Sequence, residues 1–146
     1  MRGTGSDGSP DDGEVLVVGA VVERDGRLFL ARRAAGERHG GRWELPGGKV
    51  ERGESPERAL ARELREELAV EAEVSALVAE SAVSIEGKRY RFLALEAAFD
   101  RDPVAGPAHS GFGWFEPESL PDENDLAPLD APALEAWLRR AGKSES

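Results

Sequence analysis

Apolar positions recur along this chain in two rhythms, one that suits strands and one that suits helices. Val15 to Val22 is apolar and β-branched almost throughout, the pattern of a buried strand. Glu23-Arg24-Asp25-Gly26 interrupts it as a hairpin-type turn, with Asp-Gly its strongest signal. Arg27 to Arg32 then alternates, with Leu28 and Leu30 on one face and Phe29 and Ala31 on the other, which predicts a second strand. Ala34 to Arg42 is a polar loop, and Trp43-Glu44-Leu45 a short extended piece that enters Pro46-Gly47-Gly48. Further on, Glu71 to Ser84 alternates weakly, Glu86-Gly87 is a turn, and Lys88 to Phe99 is the longest apolar strand candidate. Prolines and glycines mark Asp102 to Gly113 as a loop, with a short strand at Gly113-Trp114-Phe115. Pro117 to Leu120 begins one helical turn, and Asn124 to Asp130 is a loop.

The helical rhythm appears twice. Ser55 is an N-cap candidate, Pro56 suits the first helical position, and no Gly or Pro interrupts 57–69. Pro132 to Ala141 predicts a closing amphipathic helix with Leu134, Trp137 and Leu138 inward, fraying from Gly142. Strands with two helices indicate one α/β layered domain over 14–142. Residues 1–13, rich in Gly, Ser and Asp, read as a disordered leader, and 143–146 as a frayed end.

Composition narrows the function. The 146 residues are enough for one domain with a core, and there is no Cys for a disulfide, a thiol nucleophile or a thiolate-held zinc. No apolar run is long enough to span a membrane, and the N-terminus lacks the apolar region of a secretory signal, so a cytoplasmic protein is expected. A net charge of −10 argues against a nucleic-acid polymer as partner, though not against a single nucleotide. A monomer or a homodimer is compatible with this sequence.

The first helix carries the candidate chemistry. At 100° per residue, Leu60, Leu64 and Leu68 form an apolar stripe; Arg58, Arg62 and Arg65 lie nearly opposite; Glu63, Glu66 and Glu67 fall together beside the leucines. Two carboxylates roughly 4 Å apart repel by about 4 kcal/mol at an effective dielectric of 20. Packing such a cluster against a core calls for protons or a cation, and hard oxygen donors favour Mg²⁺ or Mn²⁺. The alternative is a solvated face laced by i,i+4 ion pairs.

Gly48, Glu54, Arg62, Glu63, Leu64, Glu66, Glu67 and Val70 stand at the spacings Gly-x5-Glu-x7-Arg-Glu-U-x-Glu-Glu-x-Gly-U, U being apolar. This pattern resembles the signature box of the Nudix hydrolases, and the similarity, running from about Val15 to Leu138, is greatest to the MutT and CTP pyrophosphohydrolase branch. Ala69 departs from it, standing where the family usually has Gly. The resemblance implies an α/β/α sandwich around a mixed sheet. It also implies a Mg²⁺-dependent pyrophosphohydrolase that takes a nucleoside triphosphate, of (d)CTP or 8-oxo-dGTP type, to monophosphate and pyrophosphate by substitution at the β-phosphorus. Two other activities stay open: a Nudix hydrolase of another nucleoside diphosphate derivative such as ADP-ribose, and a nucleotide-binding module without turnover.

By the same resemblance Glu63, Glu66 and Glu67 are expected to hold the metal, with the backbone carbonyl of Gly47 a further ligand. Glu54 and Arg62 are expected to support the acids. The resemblance also implies that Arg33 contacts a phosphate, which guanidinium matches in charge and fork geometry; Lys49 is a candidate to contact a phosphate or to stabilise the loop. Asp130 is either a reader of the base or an N-cap for the last helix. Leu45 and Phe92 are either a wall for the base or core. The relatives often carry an extra Glu where Ala108 stands here, which leaves the general base open among Glu67, His109 and Glu80.

Overall fold

The alternation along the first strands decides which helix each side chain meets. A computed structural model describes residues 14–36, 40–107 and 109–145, with only the backbone over 142–145. The expected leader and Ala108 lie outside the described residues. The strands are β1 (Glu14–Val21), β2 (Glu23–Arg24), β3 (Arg27–Arg33), β4 (Trp43–Glu44), β5 (Gly47–Lys49), β6 (Ala72–Ile85), β7 (Lys88–Phe99) and β8 (His109–Phe115). The helices are α1 (Pro56–Leu68) and α2 (Ala131–Glu145).

One sheet has the order β5-β1-β7-β6 and is mixed: β1 runs parallel to β7, while β1–β5 and β6–β7 are antiparallel. The other is antiparallel, with β3 paired to β2, β4 and β8. Val18, Ala20, Phe29 and Ala31 pack with Leu60, Leu64 and Leu68 of α1. Val21, Leu28, Leu30 and Phe92 pack with Leu134 and Trp137 of α2. The two faces of β3 thus serve opposite helices, which gives the α/β/α layering.

α1 forms as its sequence predicts. Ser55 Oγ accepts from the Arg58 N–H at 3.1 Å, and Pro56 occupies the first turn. At the other end Ala69 takes the left-handed conformation, φ 59°, and its N–H closes on Arg65 O. Glycine usually fills such a cap, because a Cβ there costs about 1–2 kcal/mol.

Three expectations need correction. The stretch assigned to a loop through Gly113 already becomes strand at His109, paired with Arg33, and Gly111 and Gly113 lie inside β8. Gly113 is small for a packing reason, since a Cβ would meet the Phe115 ring at 3.1 Å. Leu138 is 38% exposed rather than inward, because α2 turns Ala133, Leu134 and Trp137 to the core. α2 also starts at Ala131 and continues to Glu145, past Gly142.

Candidate active site

The segment Trp43–Lys49 connects the two parts of the site. Pro46 O accepts from the Ala20 N–H, and Gly47 and Gly48 pair with Gly19 and Val18 of β1. From the far end of the chain, the Ala127 N–H donates to Trp43 O at 2.9 Å and brings residues 126–130 alongside. A cavity of about 670 Å³ opens between these segments and the β6–β7 hairpin, within the range of small-molecule sites. Leu45, Phe92, Val83 and Tyr90 give it apolar walls; Arg33, Glu44, Asp130, Gly47 and Gly48 complete its lining.

Asp130 is 4% exposed, and its Oδ2 accepts from the Leu45 N–H at 2.8 Å. Burial pushes its pKa up to about 8, against the pull of that N–H and with the help of Glu44. Near neutral pH it is therefore mainly a carboxylic acid, which offers an O–H as well as an acceptor. It belongs to a 3-10 turn, Pro128–Asp130, that leads straight into α2.

Behind the glycines lies the acidic cluster. A Cβ at residue 48 would collide with the Glu63 carboxyl, so glycine makes room for that acid. Glu67 is half-buried beside it, with its Oε1 buried and lacking any hydrogen-bond partner. Desolvation, then the nearby Glu63, raise the Glu67 pKa to about 9, while the Gly47 backbone N–H pulls the other way. Arg62 organises the rest: Nε and Nη2 donate to Glu54 at 2.7 and 3.0 Å, Nη1 to Glu63 at 3.1 Å and Glu66 at 3.4 Å, and Nη2 also to Lys49 O. The hydrogen bond to Glu54 is the main cause that raises the Arg62 pKa above its ordinary value; in return Arg62 lowers that of Glu54.

The NUDIX domain model matches residues 13–137. The chain belongs to the Nudix family. It is thereby a hydrolase of phosphoric anhydrides. It is 40% identical to the CTP pyrophosphohydrolase of Escherichia coli over 85% of this chain and 91% of that one. Identity to the 8-oxo-dGTP diphosphatase of Haemophilus influenzae is 31%, over 87% and 94%. Among solved structures, the Escherichia coli ORF135 protein superposes with a TM-score of 0.77 at 38% identity, covering 91% of this chain and 95% of that one. A MutT Nudix hydrolase from Burkholderia pseudomallei gives 0.76 at 33% identity, covering 84% and 97%.

Set on this Nudix fold, the expected residues divide. Glu63, Glu67, Gly47, Arg62 and Glu54 come together, and Arg33, Leu45, Phe92 and Asp130 share the cavity. The Glu66 side chain is 60% exposed, held outward on Arg62. Among the described residues, no three acidic or histidine side chains are gathered into a ready cage. The unpartnered buried oxygen of Glu67, against a second carboxyl, nonetheless fits a hard cation, whose charge would offset the desolvation and repulsion that raise the Glu67 pKa. Lys49 is exposed and outside the cavity lining; its contribution is the carbonyl that Arg62 grips. Glu80 is committed to Arg91 and does not line the cavity.

Sequence reasoning missed Glu44. It lines the cavity, receives Arg33 Nη1 at 3.2 Å, and shares a 2.8 Å hydrogen bond with His109 Nε2. His109 is buried, not an exposed loop residue. A charged residue within a short extended piece, just before a double glycine, was the available signal.

Proposed function

We propose that the protein is a Mg²⁺- or Mn²⁺-dependent hydrolase of nucleoside triphosphates, which releases the monophosphate and pyrophosphate, with (d)CTP the favoured substrate and 8-oxo-dGTP the second type. The observation that carries this reading is the cavity. Its apolar wall and Asp130 suit a base, and its lining includes Gly48, on whose far side the Glu63 carboxyl lies. As an acid, Asp130 can donate to the ring nitrogen of cytosine and accept from its exocyclic amine. The likeness to a CTP pyrophosphohydrolase supports the same choice.

Phe92 and Leu45 exclude water around the base, and Arg33 supplies a fork for phosphate oxygens. Glu63, Glu67 and the Gly47 carbonyl, joined by Glu66 on leaving Arg62, would hold the metal. Bound there, it supplies Lewis acidity to the phosphates and to the attacking water. Arg62 holds Glu54, Glu63 and Glu66 in one network, so the acids are oriented before substrate arrives. Glu67, beside Glu63, would supply negative charge to that metal. A panel of nucleotides with Mg²⁺, followed by phosphorus NMR, tests the reading. Pyrophosphate and monophosphate are expected from CTP or dCTP; orthophosphate with a diphosphate would contradict it.

A further inference from the structure

Gly19 sits in the middle of β1, one layer behind the cavity. It does not line the cavity; Phe92 and Leu45, which do, lie against it. A Cβ at residue 19 would stand 2.5 Å from Phe92 Cζ, 2.9 Å from Phe92 Cε1 and 3.3 Å from Leu45 Cβ. Its φ is not positive, so backbone conformation does not require glycine here; space does. In the β1–β7 register Phe92 is opposite Val17 and Ala94 opposite Gly19, so the Phe92 ring leans along the sheet onto the bare Cα.

Resting on the reading of this cavity as the base site, we propose that Gly19 is a specificity-determining position. Its missing side chain lets Phe92 lie back against β1 and so sets the depth available to the base. β7 is hydrogen-bonded on both sides, to β1 and β6, and cannot retreat. A methyl group at 19 must move the ring tip by about 1 Å to regain ordinary carbon contact. The open side for that movement is the cavity.

The test compares kcat/KM for dCTP and 8-oxo-dGTP in four proteins: wild type, G19A, F92L and G19A/F92L. G19A is expected to lower the purine value about 10-fold or more relative to the pyrimidine, chiefly through KM. F92L, which removes the ring, shifts the ratio the other way, and the double variant returns it towards wild type. Calorimetric Kd values for CMP and GMP without metal should move in parallel, a readout independent of turnover. Unmoved ratios in both single variants, or a double variant no different from G19A, overturn the proposal. If G19A does not fold, the comparison of G19A/F92L with F92L decides the matter: a purine-to-pyrimidine ratio that the added methyl does not lower overturns the proposal. A wild type that hydrolyses triphosphates with ratios indifferent to these changes sinks this inference alone. A G19A variant that shifts the monophosphate Kd ratio as expected, beside a wild type that cleaves no triphosphate, sinks the proposed reaction alone; neither shift nor cleavage sinks both.

Discussion

Asp130 Oδ2 accepts the Leu45 N–H at 2.8 Å, joining residues 85 apart in the chain. That bond ties the segment before α2 to the strand that enters the double glycine, and it holds one wall of the cavity in place. An acid buried this deeply makes stability depend on pH. With its folded pKa near 8 and the ordinary value 3.8, native Asp130 keeps a proton that the unfolded chain has lost between those limits. The native state then binds more protons, so its stability contribution is full below about 3.8 and declines as pH rises to about 8. Asp130→Asn keeps an acceptor for Leu45 and removes the titration. Urea midpoints between pH 4 and 8 should fall more steeply for wild type than for this variant; equal slopes would refute the assignment.

Arg62→Lys tests the network around α1. A lysine cannot donate a two-point fork to Glu54 while also reaching Glu63 and the Lys49 carbonyl. Turnover should fall roughly 10- to 100-fold, with a higher Mg²⁺ concentration for half-activation, as for outer residues that orient metal ligands. Full activity at the wild-type metal requirement would show that Arg62 is only a surface partner.

Ala69→Gly addresses the one departure from the Gly48–Val70 signature. Ala69 is exposed, with φ 59°. Glycine removes the Cβ strain but adds unfolded-state entropy, so a net gain of about 0.5–1 kcal/mol is expected. Thermal unfolding measures it, and a lower melting temperature would contradict the account. Activity should stay at the wild-type level.

Local rules made α1 legible: an N-cap, a proline at the first turn, a leucine stripe, and acids at i, i+3 and i+4. The faces of β3 were equally plain from Leu28 and Leu30 against Phe29 and Ala31. What escaped was set by partners distant in sequence. His109 reads as a loop residue among glycines and prolines, yet Arg33 pairs with its backbone and Glu44 with its ring. Asp130 reads as a base contact or as a helix cap, and only the approach of Leu45 shows which backbone group holds its carboxyl. Spacing on a helix put Glu63, Glu66 and Glu67 on one face, but it could not show that Arg62 draws Glu66 outward while a Glu67 oxygen is buried.

The proposed metal site places a divalent cation on Glu63 and Glu67, behind the glycine loop. Mn²⁺ titration followed by electron paramagnetic resonance measures this directly, comparing wild type with Glu67→Gln. Wild type should bind Mn²⁺ saturably and the variant at least about 10-fold more weakly, while the variant's melting temperature should not fall, because an acid penalised by desolvation has been replaced by a neutral amide. Equal Mn²⁺ affinity in the two proteins would contradict it.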